Sequence, residues 1–93
     1  PENFVIYQNF PNPFNPTTQI RYDLPEDQFV SIAIYDVMGR NIRNLMNVNQ
    51  TAGYHSVRWD AKNDIGKGVA AGMYIYTIQA GEFRATKKMV LLK

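Results

Sequence analysis

The sequence predicts an all-β fold, an antiparallel β-sandwich of about seven strands, and three observations carry that prediction. Apolar and polar residues alternate at period two instead of recurring at helical spacing, most clearly in "TTQIRYDL" and "QFVSIAIYD". Strand-like runs follow one another at roughly 8 to 12 residues, punctuated by Gly, Pro, Asn and Asp. No segment carries an amphipathic helical pattern, so helix content should be close to nil. At 93 residues the chain makes one domain, with residues 1–5 as the end of a linker and 6–93 as the sandwich.

The elements follow in order along the chain. The opening "QNFPNPFNPTT" does not alternate, and Pro11, Pro13 and Pro16 fix φ and remove donors. It should run extended along a sheet edge or across an open end, with Phe10 and Phe14 as plugs between the sheets. In "TTQIRYDL" the buried face is Ile20, Tyr22 and Leu24, after which "LPEDQ" turns the chain. "QFVSIAIYD" places Val30, Ile32 and Ile34 on one face, while Phe29, Ala33 and Tyr35 make the other semi-apolar, as a central strand needs.

"DVMGR" is a hairpin in which Asp36 bonds the backbone ahead of it and Gly39 takes a positive φ. A strand at 41–46 should follow, and "NVNQTAG" reads as a polar loop. "YHSVRW" resumes alternation with His55, Val57 and Trp59 on one face, and Trp59 is the expected centre of the core. "DAKNDIGKG" is the densest turn signal. "MYIYTIQA" and "FRATKKMVLLK" are the last strands, joined by "GE" with Gly81 at the first central position of a type II′ turn.

Composition narrows the function classes. A hydrophobic content of 45% and 13% aromatics against 19% charged residues exclude a disordered tail. Ten Lys+Arg against eight Asp+Glu give a net charge of +2, too small an excess to indicate nucleic acid. The excess is local: from residue 82 onward, Arg84, Lys87, Lys88 and Lys93 stand against Glu82 alone. Cysteine is absent, which removes disulfides and thiolate metal sites and leaves the compartment open. No apolar run approaches the ~18 to 20 residues of a membrane helix. The start lacks a signal-peptide pattern, so the chain reads as a piece of a longer protein that begins in a linker.

Candidate chemistry is sparse, and no catalytic, cofactor or metal site is expected. Catalysis needs a base with a nucleophile or metal in one pocket. His55 shares a face with Val57 and Trp59, which suits packing, and neither Ser31 nor Ser56 has a nucleophile-elbow context. Asp60, Asn63 and Asp64 offer oxygen ligands, but Lys62 and Ala71 stand where an EF-hand loop needs its third and twelfth ligands. Tyr54, Tyr74 and Tyr76 suit cross-strand packing better than a sugar platform. The terminal run Lys87, Lys88, Met89, Val90, Leu91, Leu92 and Lys93 reads as a core strand with solvated charges. At a sheet edge its free backbone groups could also be read by strand addition, with the cations setting orientation.

Four motifs in order, "QNFPNPFNPTTQIRYDLPE", "IYDVMGR", "AGYHSVRWDAKNDIGKGVAAGMYIYTI" and "KKMVLLK", resemble the type A C-terminal sorting domain of type IX secretion. The resemblance covers residues 6 to 93 and implies an immunoglobulin-like fold related to the hook-capping protein of flagella. It implies a domain at the C-terminus of a larger secreted cargo, which passes by the periplasm to the surface or medium of a Gram-negative bacterium. The partners implied are the secretion machinery, which reads the last strand, and a sortase-like surface peptidase. Carried over by position, Lys87 to Lys93 are the recognition residues, and a monomer is expected. Two other classes stay open on the residues alone: a carbohydrate-binding or adhesive module of a surface hydrolase, and a passive spacer.

Overall fold

A computed structural model describes residues 1–92 of the chain and shows seven strands in two antiparallel sheets, the expected sandwich. The strands are β1 (Val5–Ile6), β2 (Thr18–Leu24), β3 (Gln28–Asp36), β4 (Asn41–Gln50), β5 (Gly53–Trp59), β6 (Gly72–Ala80) and β7 (Phe83–Leu91). One sheet has the order β1-β2-β5 and the other β4-β3-β6-β7. This three-on-four packing of short antiparallel strands is the immunoglobulin-like architecture. No helix occurs among the described residues.

Alternation decides which side chains meet between the sheets, because successive residues of a strand point to opposite faces. Ile20, Tyr22 and Leu24 from β2 face Val30, Ile32 and Ile34 from β3, with Tyr74, Tyr76, Ile78 and Ala80 from β6 and Met89 and Leu91 from β7. Trp59 is fully buried, as expected, with its ring 5.8 Å from Phe14 and 5.6 Å from Tyr74. Its indole N–H donates to the Lys62 carbonyl at 2.9 Å, so the buried donor is satisfied. β3 is central, flanked by β4 and β6, which accounts for its two apolar faces.

The turns follow the sequence chemistry. Asp36 accepts from the Met38 and Arg40 amides at 2.9 and 3.0 Å, and Gly39 has φ 83°. Burial pushes the Asp36 carboxyl up, but the Arg40 amide, the Arg40 guanidinium and the Met38 amide together hold it below the usual carboxylate range. Gly81 has φ 60° between the paired residues Ala80 and Phe83, and Glu82 does not share the positive φ, as a type II′ turn requires.

Two expectations fail. Residues 47–50 are strand and not loop, because the polar Asn47, Asn49 and Gln50 sit on an edge, where one side of the ladder suffices and side chains meet water. β4 runs on to Gln50, with register shifts at Ile32/Ala33 and Ile34/Tyr35. Phe10 is not a plug: it is 80% exposed, whereas Phe14 is buried. The inward position belongs to Asn9, whose amide N–H donates to the Tyr76 hydroxyl at 2.8 Å and whose side chain donates to Thr18 Oγ1 at 3.0 Å. The next residue must then face outward. The Phe10–Pro11, Asn12–Pro13 and Asn15–Pro16 peptides are cis. The first strand begins at Val5, which pairs with Asp23, and Phe4 stacks on Phe83 at 5.2 Å.

Tyr76 gives a spectroscopic handle on this packing. Burial pushes its phenol up to about 12, against the opposing pull of the Asn9 amide. The raised value favours the neutral phenol in the fold, so this contribution is intact below the ordinary tyrosine range near 10 and is lost as pH climbs towards 12. Tyr7 is raised as well, chiefly by its hydrogen bond to Asp23, and Tyr22 and Tyr74 by burial, so phenolate absorbance should show a late-titrating group of tyrosines that includes Tyr76, together with falling stability across that window. Loss of one tyrosine's share of that late absorbance in Tyr76→Phe would assign it.

Candidate functional site: the last strand and its strap

The residues of the terminal run separate by parity. Met89 and Leu91 are buried, and Lys87 is half-buried on the same inward side. Lys88 and Leu92 are exposed and Val90 half-buried on the outward side. Lys93 lies outside the described residues. Along the outer face, Thr86 shares a hydrogen bond with Thr77 at 3.1 Å, Lys88 lies opposite Ile75, and Val90 lies opposite Met73. Neither Lys87 nor Lys88 forms an ion pair among the described residues, and the exposed Lys88 is the one presented to a partner's negative charge.

β7 is an edge strand, but the end that carries the run is not open. The proline-rich segment lies along it as a strap. The Phe14 amide donates to the Val90 carbonyl at 3.0 Å and the Leu92 amide donates to the Phe14 carbonyl at 2.8 Å. Asn12 Oδ1 accepts from the Val90 amide at 3.0 Å, and Gln8 Nε2 donates to the Lys88 carbonyl at 2.7 Å. The Lys88 and Val90 carbonyls and the Val90 and Leu92 amides, expected to be free at an edge, are therefore occupied within the chain. Since the outward-pointing groups of an edge strand recur every second residue, those of Thr86 and Arg84 are the ones beyond the strap.

The strap is positioned by residues that do not look functional in the sequence. The Tyr76 hydroxyl, bonded to the Asn9 amide, also donates to the Tyr7 carbonyl at 2.8 Å, which ties the strap's start to the core. Phe14 fixes the other end by inserting its ring against Trp59. Asn12 substitutes a side-chain oxygen for a strand partner next to prolines that cannot donate. Asparagines beside prolines hint at such capping, but which edge they cap is a matter of tertiary structure.

The other sequence candidates fall elsewhere. His55 stacks on Tyr22 at 5.4 Å and its Nε2 lies 2.7 Å from the Thr51 carbonyl, a packed position in β5. Ser31 donates to Asn47 across β3 and β4, at the opposite side of the four-stranded sheet from β7. Around "DAKNDIG" a cation is already supplied by the protein: Arg43 lies 3.9 Å from Asp60 and 3.8 Å from Asp64 and bonds the Lys62 carbonyl at 3.3 Å. Asn63 Oδ1 accepts the Ile65 and Lys67 amides, which is turn chemistry. Asp64 also accepts the Asn44 amide at 2.9 Å, so this loop covers part of the β4 edge as the strap covers β7. Tyr74 and Tyr76 are buried, and only Tyr54 of the three tyrosines is exposed.

An immunoglobulin-like sandwich whose most distinctive surface is a half-covered, cationic terminal strand defines a recognition module, in which shape and charge are what a partner meets. The chain belongs to the family of secretion system C-terminal sorting domains, which matches residues 8–92. It is thus a C-terminal sorting signal of type IX secretion, a domain that is not itself catalytic and that marks its carrier for secretion or the cell surface.

Solved structures share the fold. The crystal structure of dimeric latent PorU from Porphyromonas gingivalis is similar with a TM-score of 0.73 at 22% identity, over 96% of this chain and 9% of that one. PorZ, an essential bacterial surface component of the type-IX secretion system of the same organism, is similar with a TM-score of 0.62 at 18% identity, over 99% of this chain and 12% of that one. The Pseudomonas fluorescens alkylpurine DNA glycosylase AlkC, bound to DNA containing an abasic site analog, gives 0.58 at 14% identity, over 97% of this chain and 30% of that one. The chain spans only a small part of each. No curated protein matches the sequence.

Proposed function

We propose that the domain forms the C-terminus of a larger cargo and carries it from the periplasm across the outer membrane of a Gram-negative bacterium, with the outward face of the Lys87 to Lys93 run as the part that the machinery reads. The observation behind this reading is the division of labour within β7. Met89 and Leu91 close the core, while Lys88 and Leu92 are presented to solvent at the end of a strand that is hydrogen-bonded to the strap. A sortase-like peptidase at the surface then separates the domain from its cargo, and the domain acts as a monomer. Both are tested by the size of the released species.

The reading is tested by transfer. Residues 1–93, fused behind a fluorescent protein that folds in the periplasm of a type IX secreting host, should bring it to the surface or medium. Retention in the periplasm, in a host shown to export a related fusion, contradicts the proposal. Within the strand, Met89→Ala should cost about 2–5 kcal/mol by urea unfolding, because it empties a buried site. Lys88→Gln should shift unfolding by less than about 0.5 kcal/mol, because the residue is exposed.

A carbohydrate-binding module is the second reading, and one feature favours it. An open groove of about 790 Å³ runs beside the strap, where the exposed Phe10 and the Arg21 guanidinium, 4.9 Å from the Tyr7 ring centroid, meet Gln19. Saturable capture by a glycan array, abolished in Phe10→Ala, would establish it.

A further inference from the structure

The two ends of the sandwich differ in charge. At one end, Glu26 and Asp27 of the β2–β3 turn and Glu82 of the β6–β7 turn form no ion pair among the described residues. At the other lie the β3–β4 turn, the loop 60–71 and the finish of β7. They are brought together there because Asp36 lies opposite Tyr74, Gly72 opposite Leu91, and the Asp64 amide donates to the Ile42 carbonyl. Of the carboxylates of this end, Asp36 pairs with Arg40, while Asp60 and Asp64 share the single guanidinium of Arg43. Lys62 and Lys67 are exposed and form no ion pair among the described residues, so four cations, Arg40, Arg43, Lys62 and Lys67, stand against three carboxylates and this end carries a small positive excess.

The cationic end also shows apolar side chains to water at its tips. Val37 is 63% exposed and Met38 77% in the β3–β4 turn, Ile65 is 79% exposed in the 60–71 loop, and Leu92 is 58% exposed beyond β7. These residues stand in separate turns and loops, and none of them lines the groove beside the strap or the hollow around Asp27 to Phe29, so a protein partner would need a matching hollow for each. A bilayer interface needs none, since it accepts any apolar tip whose neighbours carry charges that pair with phosphate. The acidic end also exposes an aromatic ring, Tyr54, but on the same end as the exposed Glu26, Asp27 and Glu82, which an anionic surface would repel.

We propose that the end formed by Val37, Met38 and Ile65 docks on an anionic lipid surface, with Lys62 and Lys67 pairing with lipid phosphates. The inference goes beyond the sorting function and does not depend on it. Docked in this way, the domain holds its N-terminal residues at the far end, where Phe4 stacks on Phe83 beside the β6–β7 turn.

Sedimentation with vesicles tests it, using equal parts of phosphatidylglycerol and phosphatidylcholine against phosphatidylcholine alone. The chain should sediment with the anionic vesicles only. The double change Met38→Ser with Ile65→Ser should weaken that binding about tenfold or more, as should Lys62→Gln with Lys67→Gln. All four side chains are exposed, so circular dichroism should be unchanged in both variants. No sedimentation with anionic vesicles, equal sedimentation with both kinds, or full binding by either double variant would overturn the proposal.

Discussion

Phe14→Ala should lower the unfolding free energy by about 3–5 kcal/mol, and the loss should have a local signature. The ring is 1% exposed and packs against Trp59, so its removal leaves a cavity at the open end of the sandwich. Its backbone meanwhile accepts from Leu92 and donates to Val90. Without the anchoring ring the strap loses its hold on β7. Hydrogen exchange should therefore rise first at the Val90 and Leu92 amides, before it rises in β3 and β6 at the centre of the sheet. Uniform acceleration across all strands would mean that the strap and the sandwich open as one unit.

Trp59→Ala should be as costly, again about 3–5 kcal/mol, without that local pattern. The indole is fully buried between Phe14 and Tyr74, and its N–H satisfies the Lys62 carbonyl at the start of the long β5–β6 loop. Domains of this size are stable by about 5–15 kcal/mol, so the variant should sit close to its unfolding transition at room temperature. A urea midpoint within the error of the parent would show that Trp59 is not the keystone of the core. Trp59→Phe should recover part of the loss, since it keeps a ring in the site and forfeits the hydrogen bond.

The contrast between Phe10 and Phe14 shows how far the residues alone reach. Strand positions such as Ile20, Ile32 and Trp59 are legible because a two-residue period maps directly onto a buried face. The turns at Gly39 and Gly81 are legible because the positive φ they need favours glycine. Between prolines no period exists, so nothing in "QNFPNPF" says that Asn9 turns inward and Phe10 outward; that is fixed by the Tyr76 hydroxyl and Thr18, far away in the chain. Edge strands blur for a related reason. Asn47 to Gln50 look like a loop because water takes the place of one strand partner.

The same distinction holds at the site. The cationic, apolar character of β7 is written in "KKMVLLK", and the side on which each residue falls follows from parity. That Asn12 and Phe14 occupy its backbone over Val90 to Leu92 is a long-range fact without a local pattern. It alters the expected mode of recognition. A partner meets the outward side chains of Lys88 and Leu92, or the backbone of Arg84 and Thr86, before it can pair with the last residues of the strand.

The central claim is that the run is an address as well as a strand, and export of point variants tests it most directly. The fluorescent fusion carrying Lys88→Gln and Lys93→Gln should keep the circular dichroism and urea midpoint of the parent while remaining in the periplasm. Export of this folded double variant at the level of the parent would contradict the claim, and the terminal run would then be a closing strand alone.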